Sequence, residues 1–152
     1  MERDVEFMEA ALSEAEIAGS HGEIPVGAVL VKEGRILARA HNRCEELHDP
    51  TAHAELQAIR TAGEKLGSWR LSGCTLYVTL EPCPMCTGAL INARVDRIVF
   101  GAKDPRAGAC GSLCNLPSYP LECRPEVSHG LYSDRSRNLL RQFFALRRGK
   151  TN

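Results

Sequence analysis

Two short segments of the chain carry residues that could bind a metal ion and transfer protons. The first contains His53 and Glu55, and the second contains Cys83 and Cys86 in a Cys-x-x-Cys spacing. One imidazole and two thiolates are typical ligands of Zn²⁺, and a catalytic zinc keeps its fourth tetrahedral position open. The residue types therefore predict a catalytic site in which His53, Cys83 and Cys86 hold one Zn²⁺ per chain.

The local sequence around the two cysteines predicts the geometry that such a site needs. Pro84 suits the first position of a helix, where a missing N–H costs nothing, so Cys83 is expected at the N-cap. Cys86 then lies one turn further on, and both sulfur atoms can face one point. The positive end of the helix also favours the thiolate form that binds metal.

Glu55 is the candidate for proton transfer. Two thiolates and a neutral imidazole leave a bound zinc with little net charge, so an attacking water needs a base nearby. Residues two apart on a helix point in different directions, so His53 and Glu55 can share a site only at a first turn. A redox Cys-x-x-Cys pair is the plain alternative for the cysteines, but it would leave the His-x-Glu segment unexplained.

The chain resembles the bacterial tRNA-specific adenosine deaminases over most of its length. His-x-Glu followed by Pro-Cys-x-x-Cys is the signature of zinc nucleobase deaminases. Further matching stretches are Glu23 to Val29, His48 to Ala52, Leu76 to Leu80, Phe100 to Asp104, Gly111 to Leu113, and Phe143-Phe144 with Arg147-Arg148. The resemblance implies a three-layer α/β/α, cytidine-deaminase-like fold with a five-stranded mixed sheet. It also implies hydrolytic deamination of adenosine to inosine at the wobble position of a tRNA anticodon.

The same resemblance implies three substrate contacts near the zinc residues. Asn42 would contact the base, since an amide offers a donor and an acceptor to an adenine edge. The backbone N–H of Ala54, at a helix start, would help hold the base, and Asp104 would lie at the pocket rim. From the residues alone, a turn residue that ends a hairpin strand is the favoured interpretation of Asn42, and Asp104 could simply open the turn before Pro105.

Charge is distributed unevenly along a neutral chain. The sequence has 19 basic and 19 acidic residues, but residues 1–20 hold six acidic and one basic, while residues 133–152 hold the reverse. Charge alone is compatible with two solvated helix faces. The resemblance favours RNA binding by the C-terminal end, with Phe144 stacking on a base and Arg147 and Arg148 holding phosphates of an anticodon stem-loop. It also implies a homodimer.

Composition and length predict one α/β domain over residues 1–152, with 43% hydrophobic residues to form a core. We find no targeting segment or transmembrane stretch, and we expect a cytoplasmic protein. Seven cysteines are an odd number without a secretion signal, which favours reduced thiols. Cys110, Cys114 and Cys123 could contribute three ligands to a second metal site, but the sequence near them offers no well-spaced fourth ligand. We therefore expect these three cysteines to be free thiols.

Hydrophobic periodicity predicts alternating helices and strands that place the motifs at one edge of a sheet. A strand, a helix and a further strand in succession indicate parallel pairing, and functional groups then collect at the carboxyl ends of the strands. We predict helices at 4–18, 52–66, 84–93 and around 139–146, strands at 27–31, 36–40, 74–80 and 97–100, and a long ordered loop over 101–128.

Two rival functions remain open from the sequence. A free-base or nucleotide deaminase acting on guanine or cytosine would use the same zinc signature, but it would need no basic C-terminal helix. A non-catalytic RNA-binding subunit with structural zinc would not need Glu55.

Overall fold

The computed structural model describes residues 2–150, which form a mixed five-stranded sheet between two helical layers. The elements in chain order are α1 (Glu2–Ser20), β1 (Gly27–Lys32), β2 (Arg35–His41), α2 (Cys44–Leu47), α3 (Ala54–Leu66), β3 (Cys74–Leu80), α4 (Pro84–Asn92), β4 (Arg97–Ala102), a 3-10 turn (Leu116–Ser118), β5 (Glu126–His129) and α5 (Ser133–Lys150). The strand order is β2-β1-β3-β4-β5. The predicted three-layer α/β/α architecture is confirmed.

Each sheet face is covered by a different pair of helices. On one face, α1 packs Met8 and Leu12 against Val29 and Tyr77, and Leu139 of α5 joins the same cluster. The opposite face packs against α3 and α4 through a larger cluster that includes Ala58, Leu76, Leu90, Ile98 and Phe100. Within residues 2–150, no helix combines the length and apolar character that crossing a bilayer requires.

The pairing pattern brings three strand ends to one edge of the sheet. Strand β1 is antiparallel to both β2 and β3, so β2 and β3 run in the same direction, and β4 is parallel to β3. The chain therefore leaves β2 at Asn42, β3 at Glu81 and β4 at Lys103 on the same side of the molecule. As predicted, the motif residues lie at carboxyl ends of the strands.

Close packing of α1 on β1 depends on a glycine. A Cβ atom at Gly27 would lie 2.0 Å from the Ala11 carbonyl oxygen and 2.4 Å from the Ala15 nitrogen, both in the backbone of α1. Any other residue at Gly27 would therefore push the helix away from the sheet.

The structure corrects the predicted elements in two places. The segment 101–128 is not all loop, because β4 continues to Ala102 and Glu126–His129 form the edge strand β5. Strand β5 has only four residues, none of them buried, so it gives no hydrophobic signal. The short helix α2 was not predicted, and α3 begins at Ala54 rather than at residue 52.

A partly buried ion pair ties α1 to the centre of the sheet. Asp4 accepts two hydrogen bonds from the Arg97 guanidinium, both at 2.9 Å, and one from the Tyr77 hydroxyl at 2.5 Å. The hydrogen bonds from Arg97 hold the pKa of the Asp4 carboxyl below its usual value. This carboxylate therefore joins α1, β3 and β4.

We predict that Asp4→Asn lowers the free energy of unfolding by about 2 kcal/mol at pH 7, because it removes charge-assisted hydrogen bonds. Since the folded-state pKa of Asp4 is depressed, its contribution is present above the ordinary carboxyl pKa and is lost as the pH falls through the folded-state value. Denaturant unfolding at several pH values measures both effects. Glu6→Gln, which changes an exposed carboxylate on the same helix, is the control and should change stability little. An equal loss in both variants would contradict this role of Asp4.

Candidate active site

The three predicted zinc ligands meet at one point. The Nδ1 atom of His53 lies 3.6 Å from the Cys83 sulfur and 3.5 Å from the Cys86 sulfur. In a tetrahedral zinc site with ordinary Zn–N and Zn–S bond lengths, the nitrogen and sulfur ligand atoms lie about 3.5 Å from each other. The observed separations therefore fit one Zn²⁺. Within residues 2–150 this is the one group of three or more His, Cys, Asp or Glu side chains whose ligand atoms lie within 4.8 Å of one another.

The start of α4 positions the two sulfur atoms as the sequence predicts. Cys83 is the N-cap, Pro84 occupies the first turn, and Cys86 is buried one turn later. A hydrogen bond from the Cys86 thiol lowers the pKa of Cys83 to about 4, and the same contact raises the pKa of Cys86. One thiolate is therefore present at neutral pH, and a metal ion would displace the proton of the second thiol.

Glu55 lies beside these ligands in the first turn of α3. His53 is the N-cap of this helix and has extended backbone angles, which lets it share the site with a residue two positions later. The Glu55 side chain is 4% exposed, and burial raises its pKa to about 7. A carboxyl that exchanges protons near neutral pH is suited to act as a base and then as an acid.

Asn42 holds the start of α3 in place. The His53 side chain makes no capping hydrogen bond, and the Asn42 Oδ1 atom accepts a 2.8 Å hydrogen bond from the Ala54 N–H instead. The Asn42 Nδ2 atom donates to the Ile24 carbonyl at 3.0 Å. The Ala54 N–H, which sequence analysis expects to help hold the base, thus donates to Asn42 in this structure. Asn42 still lines the cavity beside His53.

Glu81 organises the loop that follows β4, a role that sequence analysis missed. Its carboxylate is 2% exposed and accepts hydrogen bonds from the N–H groups of Asp104, Cys110 and Ser112 and from the Ser112 hydroxyl. Burial alone would raise the pKa of Glu81, but these hydrogen bonds lower it below its usual value. The carboxylate thus remains charged two residues before the ligand Cys83.

The loop closes over Glu81 too tightly for a side chain at Gly108. A Cβ atom there would lie 2.2 Å from the carboxyl carbon of Glu81. The Asp104 carboxylate accepts hydrogen bonds from the N–H groups of Arg106 and Ala107, so it also shapes the turn that the sequence suggested. Glu81 is recognisable only once the loop has folded onto it, since its partners lie 23 to 31 positions later.

Two cavities share lining residues, and the smaller of them reaches the metal-binding residue His53. The smaller, about 90 Å³, lies beside His53 and is also lined by Asn42 and Cys44. The larger, about 950 Å³, lies between the 103–107 loop and α5. Of the predicted RNA contacts, Asp104, Phe144, Arg147 and Arg148 line the larger cavity, and Arg147 lines both. The structure therefore gathers these four residues around one cavity, which adjoins the cavity beside His53 at Arg147.

The larger cavity is strongly basic. Six cationic side chains line it, against the single carboxylate of Asp104; they are Lys103, Arg106, Arg137, Arg141, Arg147 and Arg148. Sequence analysis did not assign the first four, although the run of arginines on one side of the last helix was visible. Of the two adjacent aromatic residues, Phe143 is 9% exposed and Phe144 is 40% exposed, which leaves Phe144 available to a ligand.

The three loop cysteines do not gather into a second site. The Cys110 sulfur lies 3.6 Å from the Thr87 hydroxyl, and the Cys123 thiol donates to the Ile91 carbonyl at 3.2 Å. None of the seven cysteines, all of which lie within residues 2–150, is paired in a disulfide.

The fold and site together define a zinc-dependent deaminase. Residues 1–102 match the family model of the cytidine and deoxycytidylate deaminase zinc-binding region. This match covers about two-thirds of the chain and includes His53, Glu55, Cys83 and Cys86. Zinc is thus the cofactor of the site.

The names of similar proteins indicate which kind of deaminase this chain is similar to. The tRNA-specific adenosine deaminase of Agrobacterium fabrum is 51% identical over 93% of this chain and 94% of its own length. The enzyme of the same name from Bacillus subtilis is 47% identical over 95% of this chain and 90% of its own length. The chain belongs to the family of tRNA-specific adenosine deaminases.

Solved structures agree with this placement. A structure from a study of A-to-I editing by tRNA:A34 deaminases superposes with a TM-score of 0.87 at 50% identity, covering 89% of this chain and 99% of its own. A guanine deaminase from Nitrosomonas europaea superposes with a TM-score of 0.77 at 27% identity, covering 91% of this chain and 83% of its own. The fold is thus shared by deaminases of different bases.

We predict that Glu81→Gln loosens the 104–112 loop, because an amide nitrogen would face backbone N–H donors that need an acceptor. A buried donor left without a partner costs about 1–3 kcal/mol, so the free energy of unfolding should fall by about that amount. Hydrogen exchange should quicken at Asp104, Cys110 and Ser112. The control is Glu122→Gln, an exposed carboxylate, which should leave exchange unchanged. Unaltered exchange in Glu81→Gln would show that Glu81 does not hold the loop.

Proposed function

We propose that this protein hydrolyses adenosine to inosine at the wobble position of a tRNA anticodon. The observation that carries the proposal is a buried carboxylate, Glu55, beside a three-ligand zinc site, together with a cleft of six cationic side chains that shares Arg147 with the cavity beside His53. The identity to enzymes named tRNA-specific adenosine deaminases supports the same substrate.

His53, Cys83 and Cys86 hold the zinc, which when bound supplies Lewis-acid activation of a water molecule. Glu55 takes a proton from the attacking water and delivers it to N1 of adenine as C6 is attacked. Glu55 then takes the remaining hydroxyl proton of the C6 adduct and gives it to the amino group, which leaves as ammonia as the C6–N bond breaks, so one carboxyl serves as base and then as acid. Its pKa of about 7 suits both directions of transfer. Asn42 keeps Glu55 in place by capping α3.

The basic cleft suits an anticodon stem-loop. An anticodon loop is single stranded, so turning one base out of its stack costs less than in a duplex. Arg147, Arg148 and the cations of the 103–107 loop would hold the phosphates around that base. Phe144 would stack on a neighbouring base.

Exposed apolar residues also lie outside the basic cleft, and a second copy of this chain would be a suitable partner for them. Met85 on α4, and Leu113, Tyr119 and Leu121 in the segment around the 3-10 turn that contacts α4, are large apolar residues that are at least 37% exposed. Exposed apolar patches are typical of interaction surfaces. We therefore propose a homodimer that uses this face. The absence of disulfides among the seven cysteines of residues 2–150 suits the reducing conditions of the cytoplasm, where we expect the protein to act.

A free-base deaminase acting on guanine is the second candidate, favoured by the superposition on the Nitrosomonas europaea enzyme. The basic cleft opposes it, because a free base carries no phosphate for six cationic side chains to hold.

We predict that Glu55→Gln lowers kcat by about 10²–10⁴-fold while zinc content stays at one ion per chain, because the residue transfers protons and does not bind the metal. Inosine formation and metal analysis measure the two quantities. Glu64→Gln, a change of an exposed carboxylate on the same helix, should leave both unchanged. Loss of zinc together with turnover would assign Glu55 to metal binding instead.

We predict that Arg147→Ala combined with Arg148→Ala weakens stem-loop binding and flattens its salt dependence. Each phosphate contact on a single strand contributes about 0.7 to the slope of log K against log salt, so the slope should fall by about 1.4. Filter binding at several salt concentrations measures it. Arg35→Ala with Arg70→Ala, at the opposite sheet edge, is the matched control. Equal slopes for the two double variants would remove the end of α5 from the RNA-binding surface.

A further inference from the structure

Ile24 lies where the two cavities adjoin. It belongs to the segment between α1 and β1, and together with Arg147 it lines both the small cavity beside His53 and the large basic cleft. Its side chain is 41% exposed, although it is apolar and borders a cleft lined by six cationic side chains. Ile24 and Arg147 are the two residues that border both cavities.

The backbone on either side of Ile24 is firmly held. Its carbonyl accepts hydrogen bonds from the Asn42 side chain at 3.0 Å and from the Val26 N–H at 2.8 Å. The preceding residue, Glu23, is 2% exposed, and its carboxylate accepts bonds from the N–H groups of Glu45 and Glu46 at the start of α2. The exposure of Ile24 is therefore fixed by well-bonded neighbours and does not reflect a loose loop.

Core packing does not account for the side chain of Ile24. Val26, two residues later, is buried and belongs to the main hydrophobic cluster, whereas Ile24 is absent from both clusters. The same segment therefore sends one apolar side chain into the core and holds another at the cavity junction.

We propose that Ile24 is a wedge that contacts the target nucleotide of a single-stranded RNA loop and separates its base from the adjoining base. This inference rests on the proposed function. Turning a base out of its stack costs a few kcal/mol, and apolar side chains inserted between bases offset that cost in other nucleic-acid complexes. Arg147, on the same junction, is placed to contact the phosphate of the turned-out nucleotide. Ile24 is thereby a substrate-positioning residue and not part of the proton-transfer machinery.

The test compares Ile24→Ala with Ile17→Ala, since Ile17 is 40% exposed on α1 and lines neither cavity. The substrate is an anticodon stem-loop with adenosine at the wobble position. Loss of the buried apolar contact should lower kcat/KM about tenfold for Ile24→Ala and leave Ile17→Ala at the wild-type value. Ile24→Leu, which keeps the apolar volume, should recover most of the activity. Zinc content and melting temperature should match the wild type in all three variants.

A second readout follows base separation without turnover. The same stem-loop, with 2-aminopurine next to the wobble adenosine, is titrated with protein carrying Glu55→Gln, which binds without converting the RNA. Fluorescence should rise as the neighbouring base loses its stacking partner. Adding Ile24→Ala should reduce that rise several-fold at saturation, and adding Ile17→Ala should not.

The outcomes are distinguishable. If the wild type forms no inosine in the stem-loop, the proposed function is wrong, and the proposed role of Ile24 is then wrong as well. If the wild type is active and Ile24→Ala equals Ile17→Ala in both kcat/KM and fluorescence, the proposed function stands and the wedge is overturned.

Discussion

The hydrogen bonds accepted by the Glu81 carboxylate join the two halves of the site. Glu81 lies between the end of β3 and the ligand Cys83. Its oxygens accept hydrogen bonds from backbone N–H groups of the loop that carries Asp104. Burying a charge raises the free energy of the folded state unless the charge is hydrogen-bonded. The Glu81 carboxylate accepts four hydrogen bonds. The metal-binding turn and the rim of the basic cleft are therefore fixed relative to each other by one side chain.

Two other buried polar side chains perform the same task nearby. Asn42 caps α3 through Ala54 and so places Glu55 beside the zinc ligands, and Glu23 binds the start of α2. Each takes up backbone N–H groups that strand and helix ends leave without partners. The residues that would hold and activate zinc-bound water are thus fixed at the meeting point of three strand ends, and the cationic side chains of the basic cleft lie outside it. This separation explains how a neutral chain can present a strongly basic cleft.

The parts of the site that sequence analysis predicted are those with local causes. Pro84 fixes the helix start that aims both cysteines, and helical or alternating periodicity marks the longer elements. The missed parts depend on distant partners. Asn42 acts as a cap for a helix 12 positions later, and Glu81 binds a loop up to 31 positions later. Strand β5, which begins within the segment predicted as loop, carries no hydrophobic pattern because Val127 is the one apolar residue among its four. Such roles become visible only when the strands are paired.

The central claim is that the zinc site acts on adenosine within an anticodon loop. The most direct test incubates zinc-loaded protein with a stem-loop carrying adenosine at the wobble position, beside free adenine, guanine and cytosine, and measures inosine and ammonia. Inosine in the RNA, with no ammonia from the free bases, is the predicted result. Ammonia from a free base, with none from the RNA, would contradict the claim and would make the protein a free-base deaminase.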